Sequence, residues 1–276
     1  MEDLTFLKEV LSVPTKTYQE DLMVEFISKW LKERNFNFFL DNHKNIYVTK
    51  TEHEVLPEGF YFPCVVAHTD TVHTIDKINI KEEFLPNAQK ELKLALKAYN
   101  DNELPTGIGG DDKCGIFACL TLLEKLPNIK AAFFVSEETG CHGSKNADKT
   151  FFSDVGYVIE FDAPENWMIS EKCSGVPLFD RGTEFFTKCD EVFCKNMDLE
   201  LMEYMSNPYT DVYALRRLFN FSCINFSIGY YNYHTRNEYV VVEDVFNGIK
   251  MGEEIINSLG NNLFEKEVDK TFKYIF

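Results

Sequence analysis

Apolar positions recur with helical spacing over residues 2 to 12 and 18 to 34, where Leu22, Phe26, Ile27, Trp30 and Leu31 share one face. The pattern then switches period. Asn35 to Leu40 and Ile46 to Lys50 flank the polar stretch Asp41-Asn42-His43-Lys44-Asn45, which predicts a β-hairpin. Short continuous apolar runs at Cys64 to Ala67, Ala131 to Ser136, Val155 to Phe161 and Ser222 to Ile228 read as buried strands. Helical patterns separate them at about 111 to 126, 211 to 219 and, amphipathic and long, 242 to 259; a turn into a short helix is expected at 140 to 147. Trp167 to Glu171 and Val176 to Asp180 have strand character, and Glu184 to Tyr204 reads as mostly helical. Residues 76 to 104 form a charged insertion, with a strand at Lys77 to Ile80 and helical composition from Asn87 to Tyr99. Strands alternating with helices predict an α/β fold: a mixed, mostly parallel central sheet flanked by helices on both faces. No linker or internal repeat divides the 276 residues, so one domain spanning 1–276 is expected.

Composition narrows the partners. The chain carries 28 basic and 45 acidic residues, a net charge of −17. Phosphate binding needs clustered Lys and Arg, so nucleic acid and anionic membrane are excluded as main partners. No apolar run is long enough to cross a bilayer, and the N-terminus has no basic and apolar leader pattern. The eight Cys residues include no CxxC pair, which fits free thiols and a cytoplasmic setting.

The chemistry collects at strand ends. His68-Thr69-Asp70, Glu137-Glu138, Asp162 and Tyr233-His234-Thr235 follow four of the expected strands, while Gly107-Ile108-Gly109-Gly110-Asp111-Asp112-Lys113 opens a helix. Functional crevices of open α/β sheets lie at the carboxyl ends of the strands. Taken singly, each residue has a plainer reading. His68 could be a core histidine, and Asp111 and Asp112 could cap the helix, where Asp is favoured. Together they form a His–Asp–Glu–Asp–His set suited to zinc, which takes imidazole nitrogen and carboxylate oxygen. A carboxylate can serve two metals at once, and Asp111 is the candidate bridge; of Glu137 and Glu138, one would bind metal and the other take a proton from water. Asp112 is read as a backbone-bonding helix-start residue and Lys113 as the partner of a local carboxylate. The glycines before Asp111 would let the loop approach cations closely. Cys141 is read as a structural thiol near the pocket, and His43 and His53 as solvated.

The ordered motifs AHTDTV at 67–72, GGDDKCG at 109–115, SEETGCHGS at 136–144, EFD at 160–162 and YHTRNEY at 233–239 resemble the co-catalytic di-zinc exopeptidases, the group of peptidase T, carboxypeptidase G and the single-domain bacterial leucyl aminopeptidases. The resemblance covers about residues 2 to 260. It implies that His68, Asp111 and Asp162 hold one zinc and Asp111, Glu138 and His234 a second, with Co2+ or Mn2+ as alternative metals. It implies Glu137 as the general base that generates a metal-bridging hydroxide, and Asp70 as the acid that orients His68. Arg236 and His142 are candidates for substrate contact, with His73 a further one. In two-domain members a lid is inserted between the positions of Asp162 and His234; here only 71 residues (163 to 233) lie between them, so the lid is expected to be absent or reduced to a remnant near 181–205. The expected activity is that of an aminopeptidase on short peptides, in a monomer or weak oligomer. The alternatives are an N-acyl amino acid deacylase or amidase of the same fold, and a non-catalytic metal- or peptide-binding protein.

Overall fold

The computed structural model describes residues 4–73, 77–87 and 90–266. Its elements run α1 (Leu4–Ser12), α2 (Asp21–Glu33), β1 (Asn37–Leu40), β2 (Ile46–Lys50), β3 (Phe62–His68), β4 (Asn79–Pro86), β5 (Leu92–Tyr99), α3 (Gly110–Lys125), β6 (Ile129–Phe134), α4 (His142–Lys145), β7 (Val155–Ala163), β8 (Met168–Cys173), β9 (Val176–Pro177), α5 (Glu184–Asn196), β10 (Glu203–Asn207), α6 (Asp211–Leu218), β11 (Ser222–Ser227), β12 (Tyr230–Tyr231), β13 (Tyr239–Val241) and α7 (Val242–Leu259). The main sheet has the order β1-β2-β6-β3-β7-β11-β8-β10, with β9 paired to β8. Its centre, β6-β3-β7-β11, is parallel throughout. β1, β2 and β8 add antiparallel contacts toward the edges, so the sheet is mixed and mostly parallel, as expected.

Helices flank this sheet. α3 packs on β3, β6 and β7 with α1 and α7 against it, and α6 packs on β3, β7 and β11 with α4 against it. α3 is buried almost all round, from Gly110 to Leu120, because both the sheet and neighbouring helices cover it. β3 is likewise buried at every position, which is why it reads as an unbroken apolar run rather than an alternation.

Two readings need correction. Helical composition at Asn87 to Tyr99 gives way to strand β5, which pairs with β4 on one side and β13 on the other, making an antiparallel sheet β12-β13-β5-β4. Ala, Leu and Lys favour helix weakly, and two rows of interstrand hydrogen bonds outweigh that preference. The helical reading of Glu184 to Tyr204 holds only to Asn196; Glu203–Asn207 adds to the sheet edge beside β8. The first helix begins at Leu4 among the described residues, and the expectations at 2–3, 76 and 88–89 lie outside them.

Leu120 is fully buried on α3, whereas Leu22 on α2 is 54% exposed. Leu120→Ala is expected to cost about 2–5 kcal/mol of unfolding free energy, and Leu22→Ala within about 0.5 kcal/mol of nothing. Denaturant midpoints of the two variants check this; equal shifts would contradict the packing described.

Candidate active site

The four central parallel strands end at one edge, and the polar residues beyond them meet there. His68 is the last residue of β3, Asp162 the penultimate residue of β7, and Glu137 and Glu138 lie just past β6. His234 comes from the loop between β12 and β13. Asp111 reaches them from the start of α3, where Asp111 (φ −77, ψ 105) and Asp112 (φ −115, ψ 36) are not yet helical.

Asp111 joins two groups. Its Oδ1 lies 3.0 Å from His68 Nε2, and its Oδ2 lies 3.1 Å from His234 Nε2. His68 Nε2 is 3.9 Å from an Asp162 oxygen, and His234 Nε2 is 3.0 Å from Glu138 Oε2. The ligand atoms of His68, Asp111 and Asp162 lie within 4.8 Å of one another, and so do those of Asp111, Glu138 and His234. The structure thus brings together the residues that the resemblance divides into these two triads. The donors fit divalent cations: imidazole and carboxylate in each triad, with Oε1 of Glu138 buried and without a hydrogen-bonding partner among the described residues.

Asp70 holds the pieces in register. Its carboxylate accepts the backbone N–H of Glu137 (2.9 Å) and of Glu138 (3.3 Å) and the hydroxyl of Thr17 (2.8 Å), and stands 3.3 Å from His68 Nδ1. The His68 Nδ1 also faces the backbone carbonyl of Asp70 at 3.0 Å, so Nε2 is the nitrogen turned toward Asp111. Asp162 is fixed from the neighbouring strand: Asn225 on β11 accepts its N–H and donates to its carbonyl, and the Tyr230 hydroxyl donates to its carboxylate.

Electrostatics follow from burial. Desolvation, together with the charges of Asp211, Asp111 and Glu138, pushes Glu137 up to about 8. Burial and the charge of Asp111 likewise raise Asp162. Asp111 goes the other way: against the pull of burial, hydrogen bonds from His234 and His68 hold it below the usual carboxylate range. Those same contacts with Asp111 and Glu138 raise His234 to about 10. Carboxylates crowded until some favour the neutral form are arranged for a compensating positive charge.

The neighbours of the ligands have defined positions. Asp112 accepts the N–H of Gly115 (3.0 Å) and of His68 (3.2 Å), a helix-start role as read from the sequence. A Cβ on Gly115 would meet Asp112 Oδ1 at 2.2 Å, so only glycine lets that carboxylate fold over the helix end. Lys113 differs from expectation: it is fully buried, and its ammonium donates to the carbonyls of Leu11 and Ile108 rather than to a carboxylate. Burial lowers it to about 7. The glycines before Asp111 also differ in role. A Cβ at Gly107 would strike the His73 ring at 2.3 Å, and one at Gly110 would strike Tyr230, so their close approach is to protein side chains. His73 is buried against Glu238 and lines no part of the cleft. Cys141 is buried with its thiol 3.4 Å from Glu137 Oε1.

A cleft of about 250 Å³ opens over Asp111, Glu137, Glu138, Asp162 and His234, walled by Tyr209, Tyr230 and Tyr233. Arg236 and His142 are exposed and do not line it. Sequence reasoning passed over Glu238, whose carboxylate accepts the N–H of Gly109 (2.9 Å) and of Asp111 (3.1 Å) and so ties the loop carrying Asp111 to the loop carrying His234. Its only signal was its place inside YHTRNEY. Asp211, buried at the start of α6, was also missed, since an acid in a helix first turn reads as an ordinary dipole partner.

No protein-family model and no curated protein sequence matches the chain. Solved structures do. The aminopeptidase PepT of Bacillus cereus superposes with a TM-score of 0.71 at 14% identity, covering 93% of this chain and 97% of that one. A tripeptidase of Staphylococcus aureus gives 0.69 at 13% identity, over 92% and 96% of the two chains. The TET1 peptidase of Pyrococcus horikoshii, which can assemble into a tetrahedron or a large octahedral shell, gives 0.63 at 14%, over 91% and 98%. The chain has the fold of these peptidases, a mixed, mostly parallel sheet flanked by helices.

Proposed function

We propose that this chain is a two-metal peptidase that removes residues from the amino end of short peptides. The observation that carries the reading is the division of Asp111, one oxygen toward His68 and the other toward His234, at the strand ends of a peptidase fold. His68, Asp111 and Asp162 would hold one divalent cation, and Asp111, Glu138 and His234 the other. Zinc suits the mixed nitrogen and oxygen donors, and Co2+ or Mn2+ could replace it. When bound, the metals would polarise the scissile carbonyl and neutralise charge developing on its oxygen.

The chain's own residues supply the rest. Glu137 lies in the cleft with a raised proton affinity, suited to taking a proton from the attacking water and returning it to the leaving amine. The Cys141 thiol steadies Oε1 of Glu137. Asp70 fixes the backbone of both glutamates and the ring of His68 together. We read residues 1–276 as one catalytic domain without a lid: the span in which a lid would be inserted holds α5, packed against α7.

An amine terminus suits this cleft better than an N-acyl amino acid. Among the described residues lining it, four are carboxylates and none is Lys or Arg. A substrate carboxylate next to the scissile bond would lack a cationic side chain to pair with as it lost water.

Glu137→Gln is expected to keep about two metal equivalents while turnover falls roughly 10²–10⁴-fold, read by metal analysis beside peptide hydrolysis; near-normal turnover would refute the base. Asp70→Asn should weaken metal binding roughly 10–100-fold in a chelator competition, and unchanged affinity would remove its positioning role. Acetylating the N-terminus of a short peptide should abolish its cleavage. Preference for the acetylated form would establish the deacylase instead.

A further inference from the structure

A second cavity, of about 590 Å³, lies behind the metal-ligand cleft and contains none of its ligands. It is bounded by the end of the β4–β5 hairpin, the segment after β7, the end of α5 and the first turns of α7. Its size is that of a small-molecule site. Four carboxylates face it: Glu165, Asp198, Glu243 and Asp244. So do three aromatic side chains, Trp167, Tyr231 and Tyr239. Among its described lining residues Lys93 is the one Lys or Arg, and it already donates to Glu243 at 2.6 Å.

These groups discriminate between ligand classes. An anion would meet four carboxylates with the cation already paired. A purely apolar ligand would leave acids and amides desolvated, at a cost of several kcal/mol. A cationic amine on a short methylene chain suits the walls better. Its N–H groups add to carboxylates that already accept from Trp167, Lys93, Asn166, Tyr231 and the Glu200 N–H but keep spare acceptor capacity, and its methylenes meet Met197 and Met251.

The cavity also shares a wall with the cleft. Along β12, Tyr230 faces the cleft, where its hydroxyl donates to Asp162 (3.1 Å); Tyr231 faces the second cavity, where its hydroxyl donates to Asp244 (2.6 Å). Pro164 and Glu165 repeat the division, and the Glu165 N–H donates to the Tyr230 carbonyl (2.7 Å). We propose that this cavity binds an organic polyamine, and that its occupant acts on the cleft through the strand that steadies Asp162.

Spermidine is the probe. Titrated calorimetrically into metal-replete protein at constant ionic strength, it should give saturable binding. Asp244→Asn should raise the half-saturating concentration at least about tenfold, and Asp198→Asn, on an exposed loop, should raise it measurably even if the first variant folds poorly. The peptide hydrolysis rate should change with the same half-saturation. Absence of saturable heat, or wild-type binding by both variants, would overturn the site; saturable binding with an unchanged rate would overturn its link to the cleft. The calorimetry does not depend on the protein being a peptidase, so failure of the proposed function and failure of this site are distinguishable.

Discussion

The carboxylate of Asp70 is the contact on which the site depends. It reaches in three directions from the end of β3: to the hydroxyl of Thr17, to the imidazole of His68, and to two successive backbone N–H groups at Glu137 and Glu138. One side chain thus couples a histidine of one triad, a glutamate of the other and the backbone of Glu137 beside it. The hydrogen bonds also stabilise Asp70 itself. Against the pull of burial, His68 first and then the Glu137 N–H and Thr17 hold it below its ordinary value. Charge-assisted bonds of this kind are stronger than neutral ones, and a buried carboxylate without them would take up a proton and lose its grip on all three partners.

Around Asp70 the fold places acids where their mutual repulsion is greatest. Asp111, Glu137, Glu138 and Asp162 line one cleft, with Glu160 and Asp211 buried behind them. Hydrogen bonds hold three of them: the Asp162 N–H donates to Asn225 on the adjacent parallel strand, the Asp111 N–H donates to Glu238, and the Glu160 carboxylate accepts the N–H of Asp211. The strain is expressed in protonation, upward at Glu137 and Asp162 and downward at Asp111, where the two histidines converge. Parallel topology is what brings this about, since β3, β6 and β7 end at the same edge and each ending delivers its own polar segment.

Much of this was legible because it rests on short-range pattern. The buried runs of β3 and β7 and the amphipathic α7 are set by apolar spacing, and the structure places them where that spacing does. His68, Asp111, Glu138, Asp162 and His234 were legible as a set because strand ends in an α/β fold converge. What escaped was decided at long range. β5 is a strand because β4 and β13 flank it, which no property of Leu92 to Tyr99 announces. Lys113 gave no sign that it would be buried with carbonyls for partners, because Leu11 reaches it only once α1 packs against α3. Glu238 and Asn225 likewise act on residues distant in sequence.

The two triads are built differently, and the difference follows from where their histidines sit. His68 closes a fully buried strand, is itself 1% exposed, and is held by Asp70, by Asp111 and through its backbone N–H by Asp112. His234 stands on a loop with its side chain 43% exposed, in a left-handed backbone conformation (φ 59) that costs a non-glycine residue energy and persists only where the surrounding structure holds it. Its loop is bounded by Glu238, which binds Gly109 and Asp111, and by Tyr231 stacked on Tyr239 across the antiparallel pair beneath. The second triad therefore depends on the small sheet of β12, β13 and β5. The charged insertion, which has no strong core signal in sequence, supplies strands β4 and β5 of that sheet.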